Sequence, residues 1–217
     1  MQKLAILGGT FNPVHQGHLS AANTVLHQVN VDQILWVPTY CPAYKATKDL
    51  LHFAHRWEMV HCVTASSPRF SPIALITPHS FAIDTLTALQ MQYPNSEWYW
   101  ILGLDSFQSL PQWHRRHELV PQCTWLIAPR ITASSQPVQE SSQAIASISA
   151  SITTTCEQVG QRLAAEAISL QWQLLDMPLV QVSSSLVRQY CRDGKPIDHL
   201  VPDCVGRYIG KHHLYKP

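Results

Sequence analysis

Short apolar runs at residues 4–7, 34–37 and 98–102, together with Thr124–Ala128, recur along the chain, and each stops at a glycine or proline: Gly8, Pro38, Gly103 and Pro129. Runs this short, bounded by turn formers, read as fully buried strands. Helical spacing fills the gaps: Leu19, Ala22, Val25, Leu26 and Val29 follow the first run, and residues 50–65 and 82–92 repeat in the same way. Residues 72–76 form a further strand candidate. About thirty residues separate the first two runs, as a strand–helix–strand crossover requires. Strands alternating with helices imply an α/β chain with a doubly wound, mostly parallel sheet covered by helices on both faces. Ligands of such sheets gather at the carboxyl ends of strands, so the four terminators mark one rim.

The second half is less regular. Residues 132–155, rich in Ser, Thr, Gln and Ala, read as a surface loop or weakly packed helix. The last strand candidate spans 174–182. Ser183, Ser184 and Ser185 then precede Leu186 and Val187 as a capped helix begins, with Gly194 as its stop. No internal repeat or long linker divides the chain. The expectation is one domain over 1–217, with a βα core over 1–130 and carboxyl-terminal helices and the last strand over 131–217.

The 217 residues carry 15 Lys+Arg against 14 Asp+Glu, a formal net charge of +1, and only 13% are charged. With 46% apolar content the chain can build a large core. Near-neutrality argues against a nucleic-acid binder, and no run is long enough to span a membrane. The amino terminus carries no signal-peptide pattern, and the six scattered cysteines form no CxxC pair, so reduced thiols in a cytoplasm are expected. His52, His55, His61 and Cys62 fall near helical spacing, but capping or surface roles explain them better than a metal site, and no protein metal ligand is assigned.

The segment that carries chemistry is Gly8-Gly9-Thr10-Phe11-Asn12-Pro13-Val14-His15-Gln16-Gly17-His18-Leu19. Between a buried strand and a helix, its glycines let backbone N–H groups approach a ligand, and the helix start adds a positive dipole end suited to phosphate. His15 and His18, three apart, can reach one anion from the first turn. Imidazole donors there can stabilise charge that builds as a phosphate bond breaks. Neither the Walker pattern nor GxGxxG is present.

With these residues in view the chain resembles the bacterial nicotinate-nucleotide adenylyltransferases of the HxGH nucleotidyltransferase superfamily. The opening string is similar to GGTFxPxHxGH, and Val37-Pro38 with Pro42-Ala43-Tyr44-Lys45 to VPxxxPPHK. Arg56 through Met59 resembles RxxM, and Ser80-Phe81-Ala82 through Leu86 resembles SYTxxTL. Gly103-Leu104-Asp105-Ser106 with Trp113 is similar to GxDS...W, and Val182 through Arg188 to ISSTxIR. The echo continues through Leu200-Val201-Pro202 to Leu214-Tyr215.

The resemblance implies a Rossmann-like fold and adenylyl transfer from ATP to nicotinate mononucleotide, giving nicotinate adenine dinucleotide and pyrophosphate for NAD biosynthesis. It implies Mg²⁺ bridging the ATP phosphates with few or no protein ligands. His15, His18, Lys45 and Arg188 would be catalytic. ATP would be held by Gly8, Gly9, Thr10, Phe11, His15, His18, Gly103, Asp105, Ser183, Ser184 and Arg188. The 183–185 hydroxyls and Arg188 would serve the leaving group, and Lys45 the incoming phosphate. Thr39, Lys45, Ala82, Asp105, Trp113 and His114 would hold the mononucleotide, Trp113 by stacking on the pyridine and Ala82 and His114 through main-chain N–H groups. Spacing alone leaves Asp105 equally readable as a helix N-cap, and Trp113 as core.

Several positions depart from the pattern. Tyr44 stands where His is usual, Phe81-Ala82 where Tyr-Thr is, and His114 where Tyr is common. The family's basic pair after the fifth strand is Pro129-Arg130, which leaves Arg130 as one candidate cation. Acceptance of nicotinamide mononucleotide, or dual specificity, is the alternative these changes raise. A pantetheine-phosphate adenylyltransferase is disfavoured by length and by His15, and a non-catalytic nucleotide binder by the intact His15, His18 and Arg188. Neither nucleic acid nor membrane is expected as a partner, and the sequence leaves open whether the chain forms a homo-oligomer.

Overall fold

The computed structural model describes residues 1–42, 49–76, 80–129, 142–178 and 180–216, of which 142–148 are described in backbone only. Six parallel strands form one sheet: β1 (Gln2–Gly9), β2 (Gln33–Pro38), β3 (Phe70–Pro72), β4 (Ser96–Gly103), β5 (Thr124–Ala128) and β6 (Gln171–Leu174). Their order is β3-β2-β1-β4-β5-β6, with Leu7 paired to Trp36 on one side and to Ile101 on the other. Helices α1 (Gln16–Gln28), α2 (Phe53–Thr64), α3 (Ala82–Gln92), α4 (Leu104–Gln108), α5 (Arg116–Leu119), α6 (Ser142–Ala164), α7 (Ser184–Arg192) and α8 (Asp203–Lys211) cover the two faces.

The burial pattern shows why these runs are strands. Successive residues of β1 alternate between two cores: Ala5 and Leu7 pack with Val25, Met59, Val187 and Val205, while Leu4 and Ile6 pack with Leu86, Phe107, Trp125 and Cys156. A central parallel strand is buried on both faces and therefore reads as an unbroken apolar run.

Two strands differ from expectation. β3 ends at Pro72, where a ladder donor is lost, so residues 73–76 lie beyond the strand. The last strand is Gln171–Leu174, not 174–182: its alternating Gln-Trp-Gln-Leu sequence fits an edge strand exposed on one side, and Pro178 interrupts the apolar stretch that follows. Residues 142–164 form a helix: among the described side chains of 149–155 only Ile152 is buried, and Cys156, Val159 and Leu163 beyond that stretch anchor the helix. Residues 132–141 lie outside the described residues.

Two of the chain's twelve histidines hold structural contacts around α2. His52 accepts from Ala54 N–H at the start of α2, and His55 Nδ1 lies 3.0 Å from the Tyr208 hydroxyl. Among the described residues no helix is long and apolar enough to cross a membrane.

Candidate active site

The direction in which successive strands are added reverses between β1 and β4, so the loops leaving their carboxyl ends part to opposite sides and leave a crevice. Two cavities open there, of about 700 Å³ and 290 Å³, and both are walled by Gly8, Gly9, Thr10, Leu102 and Ser106. A methyl group on Gly8 would meet Trp100 at 3.6 Å, one on Gly9 would meet Phe11 at 3.5 Å, and one on Gly103 would meet nothing within 4 Å. The fold itself therefore leaves room for a methyl group at these three positions. Glycine at these positions leaves bare backbone on the cavity walls.

The loop after β1 is held by buried contacts. Phe11 sits at φ 47°, and its ring packs 5.0 Å from His18 and 5.6 Å from Trp36. A non-glycine residue in this left-handed region costs on the order of 1–3 kcal/mol and marks an over-determined turn. Asn12, 5% exposed, donates through Nδ2 to Asp49 O at 2.7 Å, while its Oδ1 accepts from Leu51 N–H at 3.3 Å and from the Tyr215 hydroxyl at 2.9 Å. Burial pushes the Tyr215 phenol above its ordinary range, so it remains a donor.

His15 stands at the N-cap of α1 and His18 one turn on, their rings stacked with centroids 3.7 Å apart. His15 N–H donates to His18 Nδ1 at 3.1 Å. An accepting Nδ1 leaves the His18 proton on Nε2, so that ring is set as a neutral N–H donor. Gly17 lies under this pair: an added methyl would meet His15 Nδ1 at 3.1 Å and Val182 Cγ1 at 3.2 Å. Gly17→Ala should therefore displace the His15 ring and lower turnover about tenfold, since sub-ångström misplacement is costly to positioning catalysis. Its thermal midpoint should hold or rise, because alanine favours helix over glycine by about 1 kcal/mol. Wild-type turnover in this variant would show that the His15 position is not critical.

The amino end of α7 forms the opposite wall. Ser183 Oγ caps the helix by accepting from Leu186 N–H at 3.0 Å, Ser184 Oγ donates to Pro13 O at 2.8 Å, and Ser185 Oγ accepts from Arg188 Nη2 at 3.2 Å. Neither bond uses the O–H groups of Ser183 and Ser185, whereas that of Ser184 is committed to the β1–α1 loop. Arg188 Nη1 donates to Asn12 O at 2.9 Å, and its Nε is buried with no acceptor among the described residues.

Arg56 of α2, 1% exposed, reaches beneath both loops. Its Nε donates to Leu51 O, its Nη1 to Thr10 O and Thr39 O, and its Nη2 to Tyr40 O, at 2.6–3.0 Å. Burial draws the guanidinium below its ordinary value, yet arginine keeps its charge. One cation therefore ties together the loops that follow β1 and β2.

The smaller cavity lies on the β2–α3 side, lined by Thr39, Phe81, Ala82, Trp113 and His114. Trp113 Nε1 donates to Ser109 Oγ at 3.0 Å, and its ring sits edge-on to Trp100 and Trp125. The His114 ring lies 4.5 Å from that of Phe81. Helix α3 starts beside them with Phe81 at its N-cap, a side chain with no oxygen to accept from first-turn N–H groups.

The structure thus gathers Gly8, Gly9, Thr10, His15, His18, Gly103, Asp105, Ser183, Ser184 and Arg188 around the larger cavity, and Thr39, Ala82, Trp113 and His114 around the smaller. Three expectations shift. Phe11 does not line either cavity, because its ring is buried behind the loop. Asp105 is not the N-cap of α4, a place taken by Gly103, but its second residue. It also faces the larger cavity, not the smaller one. Lys45, Tyr44 and Arg130 lie outside the described residues. Sequence reasoning placed Asn12 and Arg56 in motifs but gave neither a role, although Arg56 falls in register with the buried Met59, Val60 and Val63 of α2, where an arginine must be satisfied by several acceptors.

Comparison with known proteins bears on this arrangement. A family model described as cytidylyltransferase-like matches residues 6–190. Two cyanobacterial proteins called probable nicotinate-nucleotide adenylyltransferases, from Trichormus variabilis and a Nostoc species, are each 43% identical over 218 residues, covering 99% of this chain and 98% of their own. The solved Plasmodium falciparum nicotinic acid mononucleotide adenylyltransferase complexed with NaAD superposes with a TM-score of 0.72 at 20% identity, covering 99% of this chain and 98% of its own, a likeness of fold. The full-length identity to proteins of one name, inside a matching family model, is decisive: the chain belongs to the nicotinate-nucleotide adenylyltransferase family of nucleotidyltransferases.

Proposed function

We propose that the protein transfers the adenylyl group of ATP to nicotinate mononucleotide, forming nicotinate adenine dinucleotide and pyrophosphate in NAD biosynthesis. The observation that carries this reading is the pair of cavities meeting at Gly8, Gly9 and Thr10, which can hold two nucleotides with their phosphates at one point. A 5'-phosphate oxygen of the mononucleotide attacks the α-phosphorus of ATP, the bond to the β-phosphate oxygen breaks, and pyrophosphate carries away the electron pair. The chain's own groups do this by positioning and charge neutralisation. The N–H groups of the glycine turn and the His18 Nε2–H donate to phosphoryl oxygens. Arg188, the α7 amino end and the hydroxyls of Ser183 and Ser185 receive the leaving pyrophosphate. Asp105 accepts from ribose hydroxyls, Trp113 stacks on the pyridine, and Lys45 neutralises the incoming phosphate. All of this fits within one domain.

The donor set suits a magnesium ion carried by substrate. Among the described residues no three His, Cys, Asp or Glu side chains converge, and Asp49 and Asp105 are the carboxylates on the larger cavity's wall. Such an ion keeps phosphate oxygens and water as most of its ligands, so these two carboxylates are the protein groups that would face it. When bound it offsets phosphate charge.

The test is pyrophosphate release from ATP and Mg²⁺ with nicotinate or nicotinamide mononucleotide as acceptor. Release with the nicotinate form, at higher kcat/KM than with the amide, is expected. Silence with both acceptors would end the reading, and equal rates would end its selectivity.

A further inference from the structure

Asn12 is the point where distant parts of the chain meet. Its side chain engages Asp49 O and Leu51 N–H ahead of α2, its backbone carbonyl accepts from Arg188 Nη1 of α7, and its Oδ1 also accepts from the Tyr215 hydroxyl beyond α8. At 2.9 Å the Tyr215 bond is shorter than the 3.3 Å bond from Leu51 to the same oxygen, so the hydroxyl is the stronger of the two donors that fix this amide. Asn12 and Arg188 line the larger cavity, whereas Tyr215 lines neither cavity and reaches the site through Asn12. We infer that Tyr215 is a positioning residue for the departing pyrophosphate: its hydroxyl holds Asn12, and through the Asn12 carbonyl it aims the Arg188 guanidinium at the phosphates.

Backbone geometry on both sides of this bond supports the role. Tyr215 sits at φ 63° and His213 at φ 50°, and Phe11, the residue before Asn12, sits at φ 47°. Non-glycine residues persist in the left-handed region only where surrounding contacts over-determine them, and such residues gather at functional sites. The segment after α8 is anchored by Leu214, whose N–H donates to Ile209 O at 3.1 Å and whose side chain belongs to the core that holds Val187 and Val205. The Arg188 and Arg56 guanidiniums both act on the Tyr215 phenol, but burial outweighs them and keeps its proton on. Arg188 in turn depends on this aim. Its two acceptors, Asn12 O and Ser185 Oγ, are neutral, and its buried Nε has no acceptor among the described residues. A separate tie from Ser184 Oγ to Pro13 O keeps α7 on the loop without fixing the Arg188 side chain. Loss of the Tyr215 hydroxyl should therefore misdirect the guanidinium without unfolding the protein.

This inference rests on the adenylyl-transfer reading for the role of Arg188, and a double-mutant cycle separates the two. Pyrophosphate release from ATP, Mg²⁺ and nicotinate mononucleotide is followed in wild type, Tyr215→Phe, Arg188→Ala and the double variant, with calorimetry of inorganic pyrophosphate and Mg²⁺ on the first two. Tyr215→Phe keeps the ring and should leave the circular dichroism unchanged. It should lower kcat and weaken pyrophosphate binding about fivefold to tenfold, with the KM for mononucleotide within about twofold of wild type. In the Arg188→Ala background the same substitution should change kcat by less than about twofold, because the group through which it acts is gone. A hydroxyl with a merely structural role would lower kcat equally in both backgrounds, and that result would overturn the inference. Unchanged kcat and pyrophosphate affinity in Tyr215→Phe would overturn it as well. If wild type turns over and the cycle is additive, adenylyl transfer stands and this assignment falls; a wild type that neither releases nor binds pyrophosphate would end both.

Discussion

His18→Ala is expected to lower kcat about a hundredfold and to leave the protein folded. The ring supplies one neutral N–H donor at the β1–α1 junction, with its tautomer set by the N–H of His15. Loss of a single pre-aimed donor to developing oxyanion charge costs roughly 10²–10³ in turnover. The structural part of the loss includes a reciprocal cap contact at the start of α1, the stack on His15 and an edge contact with Phe11, and the cap contributes about 1 kcal/mol. Steady-state kinetics alongside circular dichroism separate the two effects. A rate within a factor of three of wild type would remove His18 from the chemistry. A collapsed spectrum would show that the ring is chiefly structural.

A larger effect on stability is expected at Arg56. Replacing it with alanine removes four hydrogen bonds to Leu51, Thr10, Thr39 and Tyr40 and leaves part-buried carbonyls without a donor. Each unsatisfied group costs about 1–3 kcal/mol. Some refill with water, so a loss of about 3–5 kcal/mol and a fall in thermal midpoint of about 10 °C are the expected outcome. Arg56→Lys should recover little of this, because an ammonium cannot span the fork that joins Thr10 O to Tyr40 O. The functional signature is a rise in KM for both substrates, since the carbonyls Arg56 binds belong to loops that wall both cavities. A stable Arg56→Ala protein with unchanged KM values would show that the loops hold themselves.

These two residues also show what a sequence can and cannot disclose. His18 was legible because its chemistry lies inside one twelve-residue string, where strand, glycine turn and helix start are consecutive. Arg56 was not, because its acceptors lie 5 to 46 residues away and converge only once β1 and β2 pair. Asn12 is a more distant case, since its hydroxyl partner Tyr215 is 203 residues removed. Among the strands, β1, β2, β4 and β5 declared themselves as apolar runs because both their faces are buried. β6 did not, because an edge strand with one exposed face alternates, and Gln171 and Gln173 break the run. The helix over 82–92 was read to the residue because its apolar spacing is complete, whereas the five-residue and four-residue helices α4 and α5 are too short to show a period.

Direct transfer between two nucleotides whose phosphates meet at Gly8 and Gly9, with no covalent enzyme intermediate, is the claim on which the rest depends. It is tested by the stereochemical course at the α-phosphorus, using ATP bearing one sulfur there in a single configuration and nicotinate mononucleotide as acceptor. A single in-line displacement predicts complete inversion in the dinucleotide product. Retention would require two displacements and an adenylylated side chain, and would contradict the account.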